Sequence, residues 1–246
     1  MCLELAYAEA LKWKMRGADL VLDAENKAQK MEIDPVLRFV PDISRLVSAV
    51  DSVKKRHGPL IEEALVFAIS CVPGWSAERQ TKVSYAGENF RLDCLAHHAG
   101  SQTLYVFECK RGHGVGDSAA LRSIDQRLAK VVPASTEHAR RRGLSVKSVE
   151  VFIISFYGKK WNSRYPIFNA HEAATIFPPC AVRFADELRK SSENLISRHV
   201  GERVNPGPRK SATSDTLFDR LELMHVGENA RVRFDEDGWT VISATH

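Results

Sequence analysis

The feature of this chain that most constrains its fold is a change of hydrophobic period near residue 81. Three short segments, at residues 82–85, 90–96 and 103–110, alternate apolar and polar side chains, and turn-like sequences separate them. A period of two residues predicts β-strands, and short connections predict that consecutive strands pair antiparallel. We therefore expect a three-stranded meander in the middle of the chain.

An amphipathic helix and a strongly apolar strand are predicted after the meander. Residues 117–132 begin with an Asp-Ser pair suited to capping, carry apolar residues at helical spacing, and are followed by Pro133 as a terminator. Residues 149–156, VEVFIISF, are almost continuously apolar, which is typical of a strand buried on both faces. The order strand, helix, strand predicts a right-handed crossover, so 149–156 is expected to run parallel to 103–110.

The flanking regions complete an α/β architecture. The first 57 residues have an amphipathic, helical pattern with a predicted break at Gly17, and Gly58-Pro59 is predicted to open a second helix before the meander. Near the other end, a stretch rich in Gly, Pro and Ser predicts a linker, and two alternating segments about DEDG predict a β-hairpin. The predicted domains are 1–57, a helical extension; 58–200, the core; 201–214, the linker; and 215–246, a small appendage.

Composition places the chain among folded proteins of a reducing compartment. Of its 246 residues, 44% are hydrophobic and 27% are charged, which argues against wholesale disorder. No segment is long and apolar enough to cross a membrane, and the first residues lack the apolar core of a signal peptide. The five cysteines are odd in number and form no CxxC pair, which argues against a disulfide framework. We expect a cytoplasmic, intracellular protein.

The register of the predicted hairpin places two acids side by side. If Gly100 and Ser101 form a two-residue turn, the numbers of opposed residues sum to 201, so Asp93 lies opposite Glu108. Because side chains alternate, Lys110 shares their face of the sheet. Opposed carboxylates, with Cβ atoms about 5 Å apart, repel each other. Lys110 supplies one positive charge against two negative ones, and we expect a divalent cation to supply the rest.

Asp93 lies in "RLDCLA", and Glu108 and Lys110 lie in "FECK". Together with the order helix, meander, helix and parallel strand, this motif resembles the PD-(D/E)xK superfamily of restriction-endonuclease-like nucleases. The resemblance covers roughly residues 58–157. Leu92 stands before Asp93, where the name of the family has proline. The resemblance implies a restriction-endonuclease-like core and a hydrolase that cleaves phosphodiester bonds, usually of DNA, with the help of a metal ion.

The resemblance also implies roles for the residues of the motif. Asp93 and Glu108 would hold Mg²⁺, for which Mn²⁺ is a substitute, and the backbone carbonyl of Cys109 would join them. Lys110 would orient the attacking water and stabilise the charge that develops in the transition state. A lysine is ordinarily protonated, so we favour orientation and electrostatics over a role as general base.

The helices on either side of the meander supply further candidates. Relatives often carry an acid on the helix before the meander, and Glu62 is the preferred choice here, with Glu63 in reserve. An exposed acid near a helix N-terminus is an equally good interpretation of either residue. Some relatives carry a glutamine on the following helix, where Gln126 stands. Basic residues share the side of the helix with Gln126, so a solvated face is the alternative.

A polyanionic partner is compatible with the charge of the chain. The net charge is +4, and the basic residues are clustered. We expect DNA as the partner, and a homodimer or a partner protein is compatible with this function because cutting both strands of a duplex takes two sites. The candidates for contacts with nucleic acid are Arg111, His113, Arg140, Arg141, Arg142, Lys159 and Lys160.

A zinc site is a second hypothesis for the hairpin. In the register above, Cys94 and Cys109 point away from Asp93, while the adjacent His97 and His98 point to opposite faces. No single spacing brings four ligands together, as zinc ordinarily requires. The cluster of acids and lysine therefore remains the better candidate.

Three other interpretations stay open. The acids and the lysine could form a plain salt-bridge cluster at a strand end, although the second acid then lacks a partner. The fold could be a catalytically inactive module that binds nucleic acid or forms a complex. An RNA-directed nuclease ranks below both.

We interpret the aromatic residues Trp75, Trp161 and Tyr165 as packing residues, with base stacking as the alternative.

Overall fold

The computed structural model describes residues 2–38, 40–110, 118–158, 160–204, 230–235 and 239–242. It is a mixed α/β structure. The helices are α1 (Tyr7–Lys30), α2 (Pro41–Ser70), α3 (Ser118–Arg141), α4 (Ala170–Ala173) and α5 (Pro179–Val204). The strands are β1 (Leu3–Ala6), β2 (Trp75–Tyr85), β3 (Glu88–His98), β4 (Thr103–Lys110), β5 (Ser148–Ser155), β6 (Ile167–Phe168), β7 (Arg231–Phe234) and β8 (Trp239–Ile242).

A five-stranded mixed sheet carries the predicted meander. Its strand order is β2-β3-β4-β5-β6. β2, β3 and β4 pair antiparallel, whereas β5 lies parallel to β4, with α3 between them in sequence. The meander and the parallel crossover predicted from the sequence are both confirmed. The two-residue edge strand β6, which pairs parallel with β5, was not predicted because so short a segment has no measurable period.

The predicted register of the hairpin is confirmed, but the predicted turn is wrong. Cys94 pairs with Phe107 and His98 with Thr103, so the numbers of paired residues sum to 201 as expected. The connection between β3 and β4 nevertheless spans four residues, 99–102, instead of two. The backbone N–H of residue 99 donates to the carbonyl of Gly74, which removes it from the ladder between β3 and β4.

Two prolines predicted to bound helices lie inside them. α2 continues through Pro59, and α3 continues through Pro133. A proline inside a helix removes one backbone hydrogen bond and costs about 3 kcal/mol. Burial offsets this cost, because the residues beside both prolines pack inside: Leu60 is 6% exposed and Ala134 is 1% exposed. The predictions of a helix start at Gly58-Pro59 and of a helix end at Pro133 are therefore wrong.

The break in the first helix that the sequence predicted at Gly17 is wrong. α1 continues through this position, and a Cβ atom there would lie 2.7 Å from the Oγ atom of Ser192 in α5. The glycine thus permits close packing of two helices. The first residues also differ from the prediction, because Leu3–Ala6 form the strand β1 and not part of a helix.

The last described segments form a second, smaller sheet. Its order is β1-β7-β8, so the two strands of the predicted hairpin are neighbours. The Nη2 atom of Arg233 lies 2.5 Å from Oε1 of Glu4. The helix α5 ends at Val204, so residues 201–204 of the predicted linker are helical, and the remaining linker residues lie outside those that the structure describes.

The described residues fall into two compact units. One is built around residues 62–186 and contains the five-stranded sheet. The other is built around residues 4–61 and the part of α5 from residue 187 onward. The domain boundaries predicted from the sequence stay predictions.

The core of the first unit covers both faces of the central strand β4. On one face, Leu104 and Val106 pack with Leu128 of α3. On the other face, the ring of Phe107 stacks on Phe152 at 5.6 Å. Aromatic residues interpreted as packing residues take part in this core. The ring of Trp75 stacks on Tyr105, and Trp161 and Tyr165 pack against the α3 side.

None of the helices in the described part of the chain has the length and hydropathy needed to cross a membrane.

Candidate functional site

Three of the predicted site residues meet at the end of the apolar run of β4. Asp93 lies in β3, and Glu108 and Lys110 lie two residues apart in β4. The register puts Asp93 and Glu108 at opposed positions one step beyond the last paired residues, on the face that α3 covers. Their side chains differ in exposure: Glu108 is 1% exposed, Asp93 17% and Lys110 30%. The site is therefore a buried carboxylate with a partly open neighbour.

A residue that the sequence analysis missed, Arg127 of α3, joins the two acids. Its Nη2 atom donates a hydrogen bond of 3.1 Å to Oδ2 of Asp93 and a second one to Oε1 of Glu108. Lys110 contacts the same Oε1 atom of Glu108, and its Nζ lies 3.9 Å from Oδ2 of Asp93. The four side chains carry two negative and two positive charges. The charge deficit expected from the sequence is therefore wrong, because Arg127 supplies the second positive charge.

The guanidinium of Arg127 is held in its charged form by the two acids. Partial burial lowers the pKa of Arg127, but the charges of Glu108 and Asp93 and the hydrogen bonds to them raise it, and the net direction is upward. Arg127 precedes the buried Leu128 on α3, and a residue beside an apolar stripe is ordinarily assigned to the solvated flank. The register of the hairpin gave no signal for this contact, because Arg127 reaches the sheet from another element.

The donor set fits a hard divalent cation in part. The Oε2 atom of Glu108 is buried and has no hydrogen-bond partner among the described residues. An unsatisfied carboxylate oxygen in a buried position is costly, and a cation or a water would satisfy it. Asp93, Glu108 and the carbonyl of Cys109 supply at most part of the six oxygens that Mg²⁺ takes, and the others ordinarily come from water and substrate phosphate. Within the described ranges, no three His, Cys, Asp or Glu side chains cluster as a metal site.

The candidate acids of α2 form a second cluster around Arg79 of β2. The Nε atom of Arg79 donates to Oε1 of Glu62 at 3.1 Å, and its Nη1 atom donates to Oε2 of Glu63 at 2.7 Å. Glu62 is 7% exposed as a residue, whereas the side chain of Glu63 is 37% exposed. The preferred candidate is thus buried and the reserve is half-exposed, and one arginine binds both.

Gln80 links this second cluster to the strand that carries Asp93. Its Nε2 atom donates to Oε1 of Glu62 at 3.2 Å. Its φ of +55° lies in the left-handed region, which a glutamine seldom adopts. The ladder between β2 and β3 pairs Arg79 with Cys94 and Thr81 with Leu92 and omits Gln80, which stands across from Asp93. Strained backbone of this kind is concentrated at functional sites, and it is the second feature that sequence analysis missed.

The electrostatics tie Glu62 to the first cluster. Burial raises the pKa of Glu62 above its ordinary value, and the negative charge of Asp93 acts in the same direction. The hydrogen bonds from Gln80 and Arg79 and the charge of Arg79 lower it, and the net direction is upward. Glu62 and Asp93 are therefore close enough for their charges to interact.

Among the residues of the zinc hypothesis, the two cysteines come together, but the two histidines have other partners. Cys94 and Cys109 share a hydrogen bond, and burial raises the pKa of the Cys94 thiol well above its ordinary value. His97 is buried, and its Nε2 atom lies 2.8 Å from the carbonyl oxygen of Ser145. His98 instead contacts the hydroxyl of Ser101 at 3.0 Å and stacks on the ring of Trp75. The part of the chain that the structure describes thus holds no zinc cluster at the hairpin.

The weaker candidates lie on the surface or outside the described residues. Gln126 is exposed, and the side chain that reaches the acids belongs to the next residue, Arg127. Among the basic candidates, Arg141 pairs with Glu137 at 3.0 Å and Lys160 with Glu172 at 2.7 Å. Arg142 contacts Glu78 at 2.8 Å, and Arg140 is exposed at the end of α3. Arg111, His113 and Lys159 lie outside the described residues.

Comparison with protein-family models finds no match for this chain. Neither the curated proteins nor the solved structures include one that matches it. The candidate site therefore rests on its own residues and on their geometry.

Proposed function

We propose that this protein is a metal-dependent nuclease that hydrolyses DNA phosphodiester bonds on a restriction-endonuclease-like core. The observation that carries the proposal is the pairing of a buried carboxylate with a partly open one at a strand end. Glu108 has a buried oxygen without a hydrogen-bond partner among the described residues, and Asp93 and Lys110 lie beside it. A site of this composition suits hydrolysis assisted by a hard cation better than it suits a plain salt bridge.

The order of elements around the site supports the same proposal. Helix α2, the meander β2-β3-β4, helix α3 and the parallel strand β5 follow one another along the chain. The PD-(D/E)xK superfamily, which the motif resembles, arranges its core in this order. The acids lie on the inner strands β3 and β4, where the surrounding packing fixes their positions.

Each residue of the site has a role in this proposal. Asp93 and Glu108 would hold Mg²⁺ or Mn²⁺, together with the backbone carbonyl of Cys109. A divalent ion, when bound, stabilises the charge that develops on the phosphate and makes water a stronger nucleophile. Lys110 positions the attacking water and adds positive charge next to the reacting phosphate.

Glu62 is the proposed third acid. It is buried, and its charge interacts with that of Asp93, which supports a place at the edge of the same site. Glu63 remains the reserve. An exposed Gln126 is the weakest of the assignments, because Arg127 is the α3 residue that contacts the acids.

A catalytically inactive module on the same fold is the second candidate, and one observation favours it. Arg127 and Lys110 already balance the charges of Asp93 and Glu108, so the cluster is neutral without a metal ion. Such a cluster needs no metal ion to balance the charges of its two acids. Such a module would bind DNA or a protein partner through its basic surface. An RNA-directed nuclease remains a third, lower-ranked candidate.

Cleavage assays with the purified full chain distinguish these functions. The substrates are supercoiled plasmid, labelled single-stranded DNA and a labelled RNA, each with Mg²⁺, Mn²⁺ or EDTA. The variants are Asp93→Ala and Lys110→Ala, with Glu88→Gln as the control, since Glu88 is an exposed acid on the same strand as Asp93. We expect metal-dependent cleavage of DNA that falls by about a hundredfold or more in both site variants, corresponding to about 3 kcal/mol of transition-state stabilisation.

The products separate the alternatives. Nicked plasmid indicates a single acting site, whereas linear plasmid formed directly indicates a dimer that cuts both strands. Preferential cleavage of RNA would identify RNA, and not DNA, as the substrate. If the wild type cuts nothing under any metal, and its DNA binding is equal in Asp93→Ala, the nuclease proposal is wrong and the inactive module takes its place.

A further inference from the structure

Arg127 occupies the atoms that a metal ion would need. A single nitrogen, Nη2, contacts both Oδ2 of Asp93 and Oε1 of Glu108. The remaining oxygen of Glu108 is buried and has no partner among the described residues. A cation that bridges Oδ2 of Asp93 and Oε1 of Glu108 would bind the two oxygens that Arg127 now contacts.

The two sides of this contact differ in their freedom to move. Glu108 is 1% exposed and belongs to an inner strand of the sheet. The side chain of Arg127 is 43% exposed and projects from a helix. An arginine side chain is long and has several rotatable bonds, so it can leave while the carboxylates stay in place. If a metal ion replaces Arg127 at the two carboxylates, the side chain of Arg127 is therefore the part that moves.

Other positive side chains lie near Arg127. Arg91 lines the same narrow cleft as Asp93, Glu108 and Arg127, and it is exposed on β3. Lys110 adds a third positive charge beside the acids. A planar guanidinium binds phosphate through two parallel hydrogen bonds, so a displaced Arg127 next to these cations suits a DNA phosphate.

We propose that Arg127 and a divalent cation bind Asp93 and Glu108 in competition, and that the displaced Arg127 then contacts the phosphate to be cleaved. This inference rests on the proposed nuclease function for its second half only. Arg127 thereby prevents repulsion between the acids in the free protein and becomes a substrate-binding residue in the loaded one. The competition itself concerns the protein and the metal alone.

The first test measures Mn²⁺ binding by calorimetry, without DNA. The variants are Arg127→Gln, Arg127→Lys, Glu108→Gln and, as a control, Arg122→Gln, an exposed arginine on the same helix. We expect Arg127→Gln to bind Mn²⁺ about tenfold more tightly than the wild type, the factor that one charge-assisted hydrogen bond carries. Arg127→Lys, which keeps a competing cation, gains less affinity for Mn²⁺. Arg122→Gln keeps the wild-type affinity, and Glu108→Gln loses binding.

The second test measures single-turnover cleavage of DNA at saturating Mn²⁺, with thermal melting to check that each variant is folded. We expect Arg127→Gln to cleave about a hundredfold more slowly, although it holds the metal more tightly. Tighter metal binding together with slower cleavage supports both halves of the inference.

Three other outcomes separate this inference from the proposed function. Unchanged Mn²⁺ affinity in Arg127→Gln, with cleavage that still requires Asp93, overturns the competition and leaves the nuclease proposal in place. Tighter Mn²⁺ binding in Arg127→Gln, with no cleavage by any variant, supports the competition and overturns both the nuclease proposal and the phosphate contact. Wild-type or faster cleavage by Arg127→Gln overturns the phosphate contact alone.

Discussion

Two arginines of the first unit each bind a pair of carboxylates, and their clusters differ in composition and exposure. Arg127 shares its acids with Lys110, so its cluster is balanced. Arg79 contacts both Glu62 and Glu63. The side chain of Arg79 is 24% exposed and that of Arg127 is 43% exposed.

The difference indicates that the two arginines have different roles. Arg79 divides its donors between two glutamates, with one hydrogen bond to each, and compensates the buried charge of Glu62, whose other hydrogen-bond partner among the described residues is Gln80. Arg127 presents one nitrogen to two acids that also have Lys110. Removal of Arg79 should therefore damage the folded state, whereas removal of Arg127 should mainly change what the site can bind.

The largest effect is expected from Arg79→Gln. This change leaves Glu62 buried without a cation, and breaking such a pair costs about 2 to 3 kcal/mol at this partial exposure. Urea unfolding at neutral pH measures the loss. Arg79→Lys should recover part of it, since it restores the charge but not both hydrogen bonds. Equal stability of Arg79→Gln and the wild type would remove the distinction between the two arginines.

A smaller loss, about 1 kcal/mol, is expected from Arg127→Gln in the absence of metal. Glu108 keeps Lys110 as a partner, and the more exposed guanidinium of Arg127 regains water in the unfolded state. A double-mutant cycle with Glu108→Gln measures the interaction between the two side chains by urea unfolding. A loss as large as that of Arg79→Gln would mean that both arginines are structural.

Two glutamines with left-handed backbone conformations allow a test of the hydrogen bond that Gln80 donates to Glu62. Gln80 and Gln102 both have a φ of +55°. Glycine relieves this strain by about 1 kcal/mol at either position. Gln102→Gly should therefore stabilise the protein against urea, whereas Gln80→Gly should be nearly neutral because it also loses the hydrogen bond to Glu62. Stabilisation of equal size in both variants would show that the hydrogen bond contributes nothing.

The last expected effect is a change in pH dependence. Glu62 has a pKa raised above its ordinary value of 4.5, so the folded state holds this proton more tightly than the unfolded state does. Glu62→Gln removes this titration, and the stability of the wild type relative to the variant should fall as the pH rises from below 4.5 through the raised pKa. Urea unfolding from pH 4 to pH 7 measures the difference. Glu63→Gln is the matched control on the same arginine, and an identical slope in both variants would contradict the assignment to Glu62.

The sequence predicted the parts of the fold that depend on local pattern. Period-two alternation located β3 and β4, and the numbering of the hairpin gave the register that brings Asp93 to Glu108. The apolar run VEVFIISF gave the parallel strand β5. These features follow from local pattern and from the order of successive elements, so a single sequence contains them.

The sequence did not predict the parts that depend on packing between distant segments. Pro59 and Pro133 read locally as helix boundaries, but burial of the residues beside them holds each helix continuous. The contact of Arg127 with the acids arises only when α3 lies over the sheet. The left-handed Gln80 has no sequence signal either, since glycine or asparagine is ordinarily found in that conformation.

The position of β4 between β3 and β5 has a consequence for the order of folding. Pairing of β3 with β4 joins residues close in sequence, whereas pairing of β4 with β5 must first enclose the whole of α3. Local contacts close faster than distant ones, so we expect the hairpin to form before α3 brings Arg127 to the two acids. In that interval the acids repel each other with Lys110 as the cation of their own hairpin. We therefore expect dissolved salt, which screens this repulsion, to speed refolding.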